Sequence, residues 1–359
     1  MRVELHTRDV PWPDTPDGAF ARAYLEPLLA GPVEAFVHNV WTEVAVLIVD
    51  GRTVLPITVN DDERGNAWVC SPYTHYVTYA KEELYLLDSR ATRAVLGVAL
   101  DALGLLARFS RLDRVVTVNN WLLSTNLYPA LEPGQIAAVA AFLRERFPSH
   151  AIVFPSVNEP FAEGGLLHVP GRQVYLIDPG RKAGRSRKRW RYDLRLIERH
   201  GYEVIEPDDP KRVVELYNLL YLDKYSRNNP QFTERFVGEL PFTLRGLAKD
   251  GRLDAVLGYY ERDGVITTPI FGYDTALPRE LGLYRMLSAL LYQIAVEHGW
   301  QVNDSAGAGE FKRLRGAEPC IEYRAVGLDH LPWRRRVAWV VLEQVLRRVA
   351  VPMMREKGL

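Results

Sequence analysis

Residues 281–325 constrain this chain more than any other stretch. They open with LGLYRMLSALLYQIAVEHGW, a run of apolar residues at helical spacing that is entered at Gly282 and stopped at Gly299. QVNDSAGAGEFKRLRGAEPCIEYRAV follows, read as a short strand, a turn of small residues, a basic turn of helix and a last strand. A helix that begins just after a glycine presents backbone N–H groups with no partner inside the helix, and these suit a phosphate. The turn at Gly307 and Gly309 offers a second cluster of N–H groups beside Lys312, Arg313 and Arg315. Two such features in close succession predict a site for an anionic, phosphate-bearing donor.

The rest of the chain reads as mixed α/β. Residues 45–50 and 53–60 form a hairpin around Gly51, and 66–71 is read as a third strand. A helix is expected over 92–108 with Thr92 as cap, then a strand at 114–119, a helix over 132–147, and strands at 151–157 and 173–178. In the second half, residues 209–225 read as an amphipathic helix and 233–249 as two shorter ones. Strands at 252–261 and 264–274 precede the long helix, and 301–304 and 321–326 follow it. Each half shows a strand hairpin, then helix, strand, helix and strand. The expected domains are 1–180 and 181–330, divided near Asp178-Pro179-Gly180, with a basic amphipathic C-terminal helix over 331–359.

Composition narrows the function. The chain has 359 residues, enough for two domains; 47% are hydrophobic and the formal net charge is zero, so bulk charge does not make it a polyanion binder. The charge is uneven: residues 181–200 hold nine Lys/Arg against Asp193 and Glu198. As a helix from about Ser186, this segment puts Arg187, Arg191 and Arg195 on one face, with Trp190, Leu194 and Ile197 marking a packed face. It is either a solvated face or a binder of a phosphate chain or RNA. Two cysteines, Cys70 and Cys320, make no disulfide framework. The N-terminal residues lack the apolar core of a signal peptide, and no apolar run is long enough to span a bilayer, so a cytoplasmic protein is expected.

The chemistry-bearing residues follow from position. Asp304 leaves a strand directly before the glycine turn, where a carboxylate can accept a proton from an attacking ammonium; Asp274, Glu310 and Tyr323 are the other local choices. Lys312 or Arg315 would pair with phosphate or stabilise an oxyanion. Arg279, Gly282 and Leu283 enter the long helix and form the first candidate cradle; Gly307 and Gly309 form the second. The loop 71–79 is dense in hydroxyls and aromatics. It either lines an acceptor pocket, with Tyr73, His75 and Tyr76 as substrate contacts, or packs inward. The histidines show no metal spacing, and neither a nucleophile elbow nor a nucleotide-binding glycine fingerprint is present. The C-terminal helix is expected to dock on its own domain rather than lie on a membrane.

Three segments together resemble the GCN5-related N-acetyltransferase (GNAT) fold in its tandem, FemAB-like branch, which includes Fem-type aminoacyl-tRNA-dependent peptidyltransferases and the acetyltransferase-like proteins of cellulose-biosynthesis loci. They are SRKRWRYDLRLIERHGYEV, DGVITTPIFGYDTALPRELGLYRMLSALLYQIAVEHG and NDSAGAGEFKRLRGAEPCIEYRAV. The resemblance implies two GNAT-like domains in tandem, each a mostly antiparallel sheet flanked by helices. The donor would be held by the second domain and the acceptor between the two. It implies that Lys312 lies near the donor or reaction centre and that residues 279–283 match the pyrophosphate loop. At the last position of that loop Tyr284 replaces the usual Gly or Ala, which stands against acetyl-CoA. The function so implied is an amide-forming N-acyltransferase with Asp304, Lys312 and Tyr323 as catalytic residues and Arg279, Gly282, Leu283, Gly307, Gly309, Arg315, Arg187 and Arg191 on the donor. No tightly bound cofactor is expected; an acyl-CoA, acyl carrier protein or aminoacyl-tRNA would be co-substrate. The alternatives are an acetyl-CoA-dependent acetyltransferase acting on a polysaccharide or small molecule, and a non-catalytic module that binds RNA or an anionic carrier.

Overall fold

The computed structural model describes residues 1–178, 180 and 185–357. Residues 181–184, the start of the basic segment, and Pro179 of the expected boundary lie outside the described residues. The chain folds into two compact units. One holds Met1–Gly171, Asn228–Pro230 and Glu322–Pro352; the other holds Arg172–Arg227, Gln231–Ile321 and Met353–Leu359. The crossing falls within a strand rather than at Asp178, and residues 322–330, expected in the second domain, belong to the first unit.

In the first unit the chain forms β1 (Val3–His6), α1 (Pro16–Leu29), β2 (Glu43–Val49), β3 (Thr53–Asp61), α2 (Arg90–Phe109), β4 (Arg114–Val118), α3 (Gln135–Arg146), β5 (Ala151–Val157) and β6 (Leu167–Ile177). Strand order is β1-β2-β3-β4-β5, followed by β12 (Glu318–Gly327). All neighbours pair antiparallel except β4 and β5, which run parallel across α3. Alternation along β4 sorts its side chains to two cores. Val116 and Val118 meet Ile136, Val139 and Leu143 of α3. Val115 faces Ala107 of α2 and Trp339 and Leu342 of α9 (Trp333–Val345). The C-terminal helix thus docks through its apolar stripe, and it does so on the first unit. Ser89, not Thr92, caps α2: its Oγ accepts the Thr92 N–H at 3.2 Å.

The second unit follows the same order. It contains α4 (Arg185–Arg199), β7 (Glu203–Ile205), α5 (Pro210–Leu220), α6 (Glu234–Glu239), β8 (Thr243–Lys249), β9 (Arg252–Arg262), β10 (Val265–Tyr273), α7 (Leu283–His298), β11 (Gln301–Asn303) and α8 (Gly309–Leu314). Its sheet runs β6-β11-β10-β9-β8-β7, antiparallel except for β10 and β11, which are parallel across α7. Met286, Leu287, Leu290 and Leu291 of α7 pack on Leu257, Ile266, Tyr175 and Trp190. Both units are therefore mixed α+β, each a mostly antiparallel sheet with helices packed on it.

Two expected elements are replaced by others. Residues 66–71 are turn rather than strand, because Trp68 N–H is taken by the carbonyl of Asn228 at 3.1 Å and not by a ladder. Residues 243–249 are strand β8, not helix; their Leu247 alternates into the core while Thr243 and Lys249 stay exposed. Strand β1 and helix α1 were not expected from the sequence. Among the described residues no helix is long and apolar enough to cross a membrane.

One glycine fixes the spacing of the second unit. At Gly272 of β10 a Cβ would sit 2.4 Å from the carbonyl carbon and oxygen of Leu216, so α5 rests directly on the strand. Gly272→Ala is expected to force the helix outward and cost about 1–3 kcal/mol. A urea midpoint equal to wild type would show that α5 has slack.

Candidate active site

The sheet ends where the candidate chemistry begins. After β11 the chain leaves the ladder, yet stays pinned to β6: Asp304 N–H donates to the Tyr175 carbonyl at 2.9 Å, and Tyr175 N–H to the Ser305 carbonyl at 3.1 Å. Ser305 and Ala308 then take positive φ values of 56° and 51°, uncommon for residues with a Cβ. Such strain persists only where the surroundings over-determine it. Lys312 provides much of that constraint. Its ammonium donates to the carbonyls of Asp304, of Ser305 at 3.3 Å and of Ala306 at 2.9 Å, and lies 5.5 Å from the centre of the Tyr175 ring.

Asp304 is the buried acid at this turn. Its Oδ2 accepts the Tyr292 hydroxyl at 2.6 Å, and its Oδ1 is 4.0 Å from Lys312 Nζ. Only 10% of the Asp304 side chain is exposed, and 4% of Lys312. Burial raises the Asp304 carboxyl above its ordinary value, with the Lys312 charge pulling the other way. Burial likewise lowers the Lys312 ammonium. Tyr292 is held well above its ordinary value by burial and then by the Asp304 charge, and Tyr284 shifts the same way for the same two leading reasons. A desolvated carboxylate beside a phenol is a competent proton acceptor. Tyr284, Ser288 and Tyr292 recur every fourth residue along α7, so one face of the helix carries both phenols.

The two expected cradles differ in what they present. Arg279 is exposed in the turn Arg279–Leu281; Gly282 has φ 75° and opens α7, its carbonyl accepting the Met286 N–H at 3.0 Å. The Leu283 side chain is buried in the core, which leaves its backbone as the part at the start of α7. The Tyr284 ring turns onto Phe271 and Phe311, at centroid distances of 5.4 and 4.8 Å. Gly307 is exposed with φ 77°, whereas Gly309 is buried at the start of α8.

Arg315, expected on donor phosphate, is spent inside the protein. Its Nε and Nη2 hold Asp193 Oδ2 at 2.8 and 2.6 Å, and its Nη1 the Phe311 carbonyl at 3.2 Å. Arg285 holds the other oxygen, Oδ1, at 2.9 and 2.6 Å. Asp193, which the sequence showed only as one of two acids in a basic run, thus ties α4 to α7 and to the end of α8. Trp190 Nε1 adds a bond to the Arg315 carbonyl at 3.1 Å. With Trp190, Asp193 and Leu196 buried, Arg187, Arg191 and Arg195 are left exposed on α4. Leu194 and Ile197, expected on the packed face, are half-buried.

The remaining candidates lie in the first unit. Tyr323 and His75 line one crevice with Trp68, Ser124, Ser156 and Glu322; at about 10 Å³ it has room for roughly one water. Tyr73 is half-buried, its N–H on Asp113 Oδ1 at 2.7 Å and Arg108 5.3 Å from its ring centre. Tyr76 is not a surface contact. It is packed in the core with Trp339, and burial pushes its phenol up to about 12. The segment expected as a loop winds into a helical turn over Thr74–Tyr79, which carries Tyr76 inward.

No family model matches the chain, and no curated protein matches it in sequence. Similarity to solved structures is found. The C-terminal DUF2156 domain assigned to a lysylphosphatidylglycerol synthetase of Agrobacterium fabrum is 18% identical with a TM-score of 0.46, over 60% of this chain and 78% of that one. FemX is 10% identical with a TM-score of 0.44, over 58% of this chain and 80% of that one. L-PGS from Bacillus licheniformis is 16% identical with a TM-score of 0.42, over 57% and 76%.

Proposed function

We propose that the chain is an N-acyltransferase that joins an activated acyl or aminoacyl group to an amine. The observation that supports this most is the buried Asp304 carboxylate, bonded to Tyr292 at the strand end and set at a turn that Lys312 holds in place. The amine nitrogen attacks the carbonyl carbon of an ester or thioester. A C–N bond forms, the C–O or C–S bond breaks, and the proton of the amine passes to Asp304. From there it is available to the departing oxygen or sulfur. Lys312 acts by positioning Asp304 and the turn, and exposed backbone at Gly307 is the part of the second cradle open to a donor.

Exposed Arg187, Arg191 and Arg195 favour a donor on a large anionic carrier, aminoacyl-tRNA among them, over a small free thioester. Acetyl-CoA, acyl carrier protein and charged tRNA should each be offered in a melting-temperature assay and in single-turnover transfer to an amine panel. One of the three is expected to raise Tm and to support transfer. Replacing all three arginines by Glu is expected to weaken carrier binding at least tenfold and to flatten its salt dependence. Carrier binding without transfer to any amine would leave the non-catalytic reading standing.

A further inference from the structure

The two parallel strands of the second unit part early, and a ring from α7 stands where they part. The ladder between β10 and β11 holds two residue pairs, Val265 with Gln301 and Ile266 with Val302. Thr267 Oγ1 adds a bond to the Asn303 carbonyl at 2.9 Å. β10 then shifts register between Thr267 and Ile270, while β11 ends at Asn303 and the chain enters the Asp304 turn.

The ring of Tyr284, near the start of α7, bridges the two sides. Its centre is 5.4 Å from that of Phe271 and 6.5 Å from that of Tyr273, both on β10, and 4.8 Å from that of Phe311, which follows the turn on α8. The same face of α7 carries Tyr292, whose hydroxyl donates to Asp304 at 2.6 Å. The Asp304 charge is, after burial, the main cause that holds the Tyr284 phenol above its ordinary value, so the ring stands near the acid as well as beside β10. Tyr273, Tyr284 and Phe311 are half-buried, so the cluster reaches the surface, where a substrate can meet it.

With Asp304 taking the proton of the amine, the attacking nitrogen comes within about 3 Å of its carboxylate. In the tetrahedral intermediate the acyl carbon is bonded to that nitrogen, so the rest of the acyl group has to lie close to the same rings. Packed aromatic side chains resist added volume. One methylene more or less in an apolar pocket already changes selectivity about 10–200-fold.

We propose that the Tyr284 ring sets the size of the acyl group and closes the site to all but small ones, acetyl, glycyl or alanyl in size; this rests on the acyl-transfer reading of Asp304. The test compares a small with a large acyl group on one carrier, so that the carrier's own binding cancels. The pairs are acetyl and hexanoyl on coenzyme A and on acyl carrier protein, and alanine and phenylalanine on a single tRNA. Wild type is expected to favour the small member at least about tenfold in kcat/KM. Tyr284→Ala is expected to shift that ratio at least about tenfold toward the large member, and Tyr284→Phe, which keeps the ring, to shift it less than about threefold. Should Tyr284→Ala fail to fold, Tyr284→Leu, which keeps apolar cover and removes the outer part of the ring, is expected to shift the ratio the same way. A wild type that transfers the large member as readily as the small overturns the size limit and leaves the transfer reading intact, as does a Tyr284→Ala variant that slows both alike. Transfer from none of the carriers overturns the transfer reading and the size limit with it.

Discussion

Asp304→Asn is expected to slow single-turnover acyl transfer by about 10²–10⁴-fold, the usual worth of a positioned general base. The substitution keeps the shape of the side chain and an oxygen for the Tyr292 hydroxyl, and removes the basicity. Two further readouts separate loss of chemistry from loss of structure. The first is the pH profile. Burial raises the Asp304 carboxyl above its ordinary 3.8, so the acid limb of kcat/KM should lie above that value in wild type and vanish in the variant. The second is stability. A carboxyl whose folded value is raised contributes fully only below its unfolded value, and that contribution is lost as pH rises through the folded value. Wild type therefore carries a burden at neutral pH that Asn does not, and the variant's Tm relative to wild type should climb between pH 4 and 8. Transfer within about threefold of wild type would remove Asp304 from the chemistry.

Asp193→Ala is expected to be the most destabilising single change in the second unit, costing about 3–5 kcal/mol. The carboxylate is 1% exposed and is shared by Arg285 and Arg315. Removing it leaves the Arg315 guanidinium, 9% exposed, among apolar neighbours with only a carbonyl to hold. Urea titration should show the loss as a lower midpoint at unchanged slope. Asp193→Leu combined with Arg315→Met, which removes both buried charges, should recover much of it. A double variant as unstable as Asp193→Ala alone would mean that the pairing directs packing rather than offsetting charge burial.

What could be read from the chain divides along the range of the interaction. The hairpin at Gly51, the helix stopped at Gly299 and the strand at 114–118 were legible because periodicity and turn chemistry are local. Strand β8 was not, since its alternation is blurred by Arg245 and Gly246. The place of Asp304 at a strand end was legible, but its environment was not. Tyr292 joins it across 12 residues, and Arg315 joins Asp193 across 122. Nothing local distinguishes a lysine that reaches a ligand from one that folds back onto the carbonyls of its own turn, as Lys312 does. Tyr76 misled for a related reason: aromatic and hydroxyl residues look alike in sequence whether they line a pocket or fill a core. One signal was overlooked. Tyr292 is a phenol among the buried apolar residues of α7, and it is the group that meets Asp304.

The chain leaves the first unit within β6 and returns to it within β12, so most of residues 172–321 is an insertion into a unit left unfinished. On the ribosome, β5 emerges with one edge bare and waits more than 150 residues for the strand that covers it. Trp339 and Leu342, which complete the core beside α2, arrive later still. The second unit, mostly contiguous, can close its sheet first, while the earlier-made half remains open. A chain cut short after residue 321 would hold nearly all of the second unit and a first one that lacks the strand covering β5 and the Trp339 and Leu342 side of its core.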